Sequence, residues 1–152
     1  MSLKKTFALC AALFCALTAL VFALDHLCLT LVGEGEKTLV KGVIGLRLVK
    51  NSGAAFSFLS GKAFLANALS AVILIALTAF VLFGKMCAPA RLSLCACLSG
   101  GACNLYMRLL RGGVNDWIEL KFVDFPVFNF ADVCVCLGAV AFALCVLVKK
   151  DG

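Results

Sequence analysis

Two aspartates in this chain combine a residue type and a setting that suit acid–base chemistry. Asp132 follows Phe128-Asn129-Phe130-Ala131 and precedes a run of apolar and thiol side chains. An ionisable group inside an apolar span costs at least about 2.5 kcal/mol on insertion scales, so its presence is a functional signal. The competing account is structural, with a helix N-terminus or a nearby arginine satisfying the carboxylate. Asp116 lies in Gly112-Gly113-Val114-Asn115-Asp116-Trp117-Ile118, where a polar loop turns apolar again, and taken alone it reads as a solvated loop acid. Both acids are expected on one side of a membrane at similar depth, joined by a short segment that can fold back on itself. Carboxylates held close together cannot both ionise easily, so one keeps a proton at neutral pH while the other acts as a base. Such a dyad could draw a proton from a water that attacks a peptide carbonyl, and donate one toward the carbonyl oxygen and the leaving amine. From the residues alone this is one chemistry among several.

Asn51, Asn104, Arg108 and Asn129 fall at the same membrane edge. Amides and a guanidinium there could hold a peptide backbone or steady the carboxylates. Equally, they could cap helix ends.

The elements that must position these residues are set by composition. With 64% hydrophobic and 14% charged residues and a mean hydropathy of +1.11, this 152-residue chain lies outside the soluble range. A bilayer core of about 30 Å takes about 20 apolar residues per helix, which allows at most about four spans in one bundle. The apolar runs predict spans near residues 6–24, 63–83, 92–107 and 125–148, with loops at 25–62 and 108–124. The first run, Thr6 to Leu24, resembles a signal peptide but is longer than a usual apolar core and is followed by three more runs, so it reads as an uncleaved span ending at Asp25 and His26. The 25–62 interval alternates apolar and polar residues around Leu46-Arg47-Leu48, which predicts a small sheet on the membrane surface. Ser99-Gly100-Gly101-Ala102 supplies small residues for close helix packing, and Trp117 is the type that anchors at an interface. Lys/Arg counts lean slightly against cytoplasmic termini, whereas the Lys4-Lys5 start favours them.

The net charge of +6 is spread over loops and tails, which excludes a nucleic-acid stripe and fits solvated flanks at lipid headgroups. Nine of the ten cysteines lie in or beside apolar runs, with Cys28 nearest a polar face, and read as small hydrophobes rather than a disulfide framework. Cys95/Cys97 and Cys134/Cys136 are spaced i,i+2, a poor geometry for a shared metal. His26, the single histidine, reads as structural or interfacial. Two rival functions remain at this level. A thiol oxidoreductase would want a Cys-x-x-Cys pair, which is missing. A transporter or scaffold would use Asp132 as a proton or ion site.

Taken together, four segments resemble the bacterial lipoprotein signal peptidase (signal peptidase II) family, the A8 aspartic peptidases, over almost the whole chain. They are Asn51-Ser52-Gly53-Ala54-Ala55-Phe56-Ser57, Ser99 to Asn104 with Arg108, Gly112 to Asp116, and Phe128 to Asp132. The resemblance implies a four-transmembrane-helix bundle with a small extracytoplasmic β-cradle, as one integral membrane domain over residues 1–152, with Asp116 and Asp132 catalytic. It also implies that Asn51, Gly53, Asn104, Arg108 and Asn129 support the site or hold substrate, and that Asp25 matches the acid closing the first span. The implied substrate is a prolipoprotein cut just before its diacylglyceryl-modified cysteine, in the bacterial cytoplasmic (inner) membrane, with both termini cytoplasmic and the site on the extracytoplasmic side. Membrane lipids and lipopeptide inhibitors such as globomycin are the implied partners, with no metal or cofactor and no nucleic acid. Departures from the family pattern are His26 for Gln, Leu29 for Lys, Met107 for Asp, and Ser99 and Cys103 for two glycines.

Overall fold

The computed structural model describes residues 2–33, 35–51 and 63–150. They run α1 (Leu3–Val32), β1 (Glu36–Val40), β2 (Ile44–Asn51), α2 (Ala63–Phe83), α3 (Ala88–Arg111), β3 (Val114–Leu120) and α4 (Phe130–Lys150). Among the described residues, three helical stretches, Leu3–Val32, Phe64–Phe83 and Phe130–Val148, are long and apolar enough to cross a membrane. Phe64, Ile75, Phe83 and Leu137 are largely exposed, which suits a surface solvated by lipid.

Helix boundaries follow local chemistry more closely than the apolar runs do. Helix α1 does not stop at Asp25, because residues 25–32 contain no Gly or Pro and a charged side chain does not interrupt the backbone ladder. It ends at Gly33, whose φ of 58° suits glycine and whose N–H bonds to the Leu29 carbonyl at 3.3 Å. At about 1.5 Å per residue, its 30 residues reach about 45 Å. Cys28 and Val32 on its last turns pack with Leu46 and the partly buried Trp117. Trp117 therefore joins the sheet to α1. Helix α3 starts at Ala88, with Pro89 in its first turn, and closes on Gly112 in the left-handed region. Helix α4 starts at Phe130 and not near Phe125. Pro126 disfavours helix at the residue before it, and Asn129 supplies the cap.

The sheet is antiparallel in the order β1-β2-β3. Its third strand comes from the 108–124 interval, which read as loop because Asn115-Asp116 and Trp117-Ile118 are a polar pair and an apolar pair, and so break strict alternation. Register is pinned by ion pairs on the open face, Arg47 Nε to Glu119 Oε1 at 3.1 Å and Lys121 Nζ to Glu36 Oε2 at 3.5 Å, with Lys121 also paired to Glu119. Exposed pairs add little stability, so their role is alignment.

Helix α3 is the centre of the bundle and touches all three other helices. It buries Arg91, Ser99 and Asn104, and Ser99 shares a 3.0 Å hydrogen bond with Thr18 of α1. Its contact with α4 has no spare room: a Cβ on Gly100 would strike the Ala131 carbonyl, and one on Gly138 would lie 2.6 Å from the Ser93 carbonyl and 2.7 Å from Cys97 Sγ. Cys103 and Met107 of α3, with Ala131 and Cys134 of α4, fill the adjacent core. Gly138→Val should therefore destabilise the purified protein by about 1–3 kcal/mol, since the obstructing atoms include backbone. Thermal unfolding in detergent checks this, and an unchanged midpoint would contradict so close a contact.

Candidate active site

Asp116 sits opposite Val49 on the β2–β3 ladder, two residues from the Asn51–Val114 pair. Residues two apart on a strand share a face, so Asn51 and Asp116 are diagonal neighbours across the ladder. Asn51 Nδ2 donates to Asp116 Oδ2 at 2.9 Å. Beyond β3 the chain returns on itself. Trp117 and Ile118 N–H groups donate to the Phe128 carbonyl at 3.0 and 2.7 Å, and Phe128 N–H donates to the Ile118 carbonyl at 3.1 Å. That short bridge delivers Asn129 to the side of Asp116, where Asn129 Nδ2 donates to Asp116 Oδ1 at 2.8 Å.

Asn129 is also the N-cap of α4. Its Oδ1 accepts from Asp132 N–H at 3.0 Å, and Asp132 Oδ2 accepts from Asn129 N–H at 3.1 Å, a reciprocal capping box with both partners at helix-start positions. Asp132 is thus in the first turn of α4, not a turn or two inside an apolar span as the run of residues suggested. The helix N-terminus does satisfy one of its oxygens. The other faces α3, where Asn104 Nδ2 donates to Asp132 Oδ1 at 2.8 Å. The circuit closes because Asn129 Nδ2 also donates to Asn104 Oδ1 at 3.1 Å. Asn104 of α3 and Asn129 at the start of α4 thereby link the two carboxylates, and Asn51 of β2 holds Asp116 from the other side.

Asp116, Asn129 and Asn104 are buried, at 3%, 5% and 7% exposure, so these groups are committed to the network rather than to solvent. Burial pushes the Asp116 carboxyl above its ordinary pKa. The hydrogen bonds from Asn51 and Asn129 oppose that shift, the Asp132 charge adds to it and the Arg108 charge subtracts from it. Arg108 acts electrostatically on both carboxylates, and its buried Nε has no hydrogen-bond partner among the described residues.

Of the residues singled out by sequence, Asn51, Asn104, Asn129, Asp116 and Asp132 converge. Gly53 and the rest of the 52–57 segment lie outside the described residues. Asp25 is not hydrogen-bonded to the pair. It is buried on α1 and accepts from Arg111 Nη1 at 3.0 Å. Arg111 escaped the sequence reading, although a basic residue in the last turn of a helix is a favourable place for a partner to a buried acid. Behind the network lies a cavity of about 10 Å³, bordered by Asp25, Asn104, Asn115, Trp117 and Asn129, the room that one water occupies. His26 is exposed, and the described residues contain no group of three or more His, Cys, Asp or Glu that could hold a metal ion.

The family profile of signal peptidase (SPase) II matches residues 17–148. Lipoprotein signal peptidases of Clostridium acetobutylicum and Lactiplantibacillus plantarum are 37% and 35% identical over 74% and 72% of this chain, covering 76% and 74% of their own lengths. One from Streptococcus pyogenes serotype M6 is 29% identical over 97% of both chains. Two bacterial membrane enzymes solved in meso superpose with TM-scores of 0.84 and 0.81 at 23% identity, over 94% and 92% of this chain and 90% and 93% of theirs. That likeness concerns the fold.

Asn129 has two separable duties, cap and bridge. Serine caps about as well as asparagine but has no amide to reach Asp116 and Asn104, whereas alanine does neither. Asn129→Ser loses the bridge alone and Asn129→Ala loses the cap as well, so the alanine variant should be the less stable of the two by about 0.5–2 kcal/mol. In a double-mutant cycle, Asn129→Ser and Asn104→Ala should couple by about 0.5–3 kcal/mol. Strict additivity in thermal unfolding would show that the bridge between them is not made.

Proposed function

We propose, from the premise that this chain belongs to the signal peptidase II family of aspartic peptidases, that Asp116 and Asp132 form its catalytic dyad and that it removes signal peptides from prolipoproteins. The observation that carries the assignment is the single amide of Asn129, which donates to Asp116 while its own backbone is held by Asp132. The pair shares one proton. The ionised carboxylate takes a proton from water as the water oxygen bonds to the scissile carbonyl carbon, and the protonated one donates to the carbonyl oxygen. Collapse of the tetrahedral intermediate breaks the C–N bond, and a proton returned to the nitrogen releases the amine of the new N-terminal residue. Low-dielectric surroundings strengthen each of these interactions, and the asparagines fix both carboxylates before substrate arrives.

The scissile bond is the one just before a diacylglyceryl-modified cysteine. In this reading α3 is a fourth span, its Arg91, Ser99 and Asn104 turned into the bundle so that lipid does not meet them. The termini are then cytoplasmic, and the sheet and carboxylates lie at the extracytoplasmic surface of the bacterial inner membrane, where a lipid-bearing cysteine would present its bond. Asn51 and Arg108 steady the dyad and contact the substrate backbone, as does Gly53, and Asp25 braces the site through Arg111. A lipopeptide of the globomycin type would compete for the same place.

With a lipidated prolipoprotein in detergent, Asp116→Asn and Asp132→Asn should each accumulate intact precursor, with losses of at least about 10³-fold, while unfolding cooperatively. Full activity in either variant would remove that residue from the dyad.

Activity should follow a bell-shaped pH profile whose limbs belong to the pair. Burial raises Asp116, and the Arg108 charge holds that rise in check. Arg108→Gln should therefore move the alkaline limb, where the shared proton is lost, to higher pH, and Arg108→Lys should leave it near its original place. A downward shift, or none, would contradict the electrostatic role of Arg108.

A further inference from the structure

At the other end of α3, about 20 Å from Asn104 along the helix axis, stands a second polar arrangement that the peptidase reaction does not use. Arg91 is 4% exposed, its guanidinium lies over the Phe7 ring at 4.9 Å, and its Nη2 donates to the Gly84 carbonyl at 2.9 Å. Its Nη1 is buried with no hydrogen-bond partner among the described residues. The same residue borders a cleft of about 540 Å³ formed with Leu3, Leu82, Lys85, Met86 and Cys87. Cys87 is the N-cap of α3 and makes no side-chain bond to the first turn, so the positive end of that helix is uncovered there. Lys85 is exposed and pairs with no acid among the described residues.

A buried guanidinium with a free N–H, an ammonium group and a helix N-terminus around one cleft call for an anion with several oxygen acceptors, the chemistry of a phosphate. The depth and the walls identify its source. The 21 residues of α2 span about 31 Å, close to the bilayer core, so the turn after Phe83 lies at headgroup level. The cleft is walled by Leu3 and Leu82, with the fully apolar Phe83 beside them at 83% exposure. Such walls fit a glycerol and acyl chain and offer nothing to a free inorganic ion. We propose that this cleft binds the phosphate of an anionic phospholipid, in the leaflet opposite the Asp116–Asp132 pair. The exposed Lys85 ammonium donates to the non-bridging oxygens, and the Arg91 guanidinium bordering the cleft supplies the second positive charge.

The test is lipid retention by native mass spectrometry of the purified full chain, offered phosphatidylglycerol, phosphatidylcholine or inorganic phosphate, with thermal unfolding in parallel. Phosphatidylglycerol should be retained over phosphatidylcholine and should raise the unfolding midpoint. Lys85→Gln should lower its retention about fivefold, the effect of one basic residue at an anionic surface, and Lys4→Gln, at the same end but outside the cleft, should not. Arg91→Lys keeps charge and loses the planar fork, and should also weaken retention. Arg91→Gln risks the α2–α3 turn itself, so Lys85→Gln carries the decision. Equal retention of the two lipids, equal losses for Lys85→Gln and Lys4→Gln, or displacement of phosphatidylglycerol by millimolar inorganic phosphate would each overturn the proposal.

Discussion

The arrangement depends on one side chain having only one workable orientation. The Asn129 amide turns its oxygen to the backbone of α4 and its nitrogen to both Asp116 and Asn104. Reversing the amide would set oxygen against oxygen at Asp116 and donor against donor at the helix. The start of α4, the third strand and the middle helix are therefore tied at one point, and the position of each carboxylate follows from an ordinary rule of helix capping. The site needs no special backbone conformation at either acid. It needs a helix that begins where a strand passes.

That point is supported by a bundle whose polarity is inside out. Arg91, Ser99 and Asn104 face inward from α3, and many apolar side chains of α2 and α4 face outward. The inward polar groups sit toward the two ends and at one hydroxyl contact with α1, and between them α3 and α4 approach so closely that glycines are required. Close packing here substitutes for the hydrophobic effect, which gives helices little reason to associate in lipid. It also keeps Asn104 and Asp132 in register, since they belong to the two helices so joined.

The sequence made the chemistry and the apolar segments legible because both are local. Two acids beside apolar runs, asparagines at the same edge, and spans such as residues 63–83 can be read from neighbours in the chain. What was not legible depends on partners far away in sequence, or on a cap. Asp132 looked embedded because the apolar run begins at Phe125, whereas Pro126 and the Asn129 cap postpone the helix to Phe130. Residues 114–120 look like loop until β2 provides a ladder, and Asp25 looks like the end of a span until Arg111, 86 residues later, provides its partner. Asn51 and Asp116 are 65 residues apart, and their bond follows from register, which composition does not encode.

The tight α3–α4 contact has an electrical meaning as well. Polar groups lie toward both ends of α3, and on the proposed four-span topology a chain of water between them would make a leak for protons. Ser99, Gly100, Cys103, Cys134 and Gly138 fill that interval with small side chains and no room even for a methyl group at the glycines. Packing this close leaves no room for a file of water along the α3–α4 contact. On the proposed topology the buried carboxylates then exchange protons with one compartment, and the voltage across the bilayer stays intact.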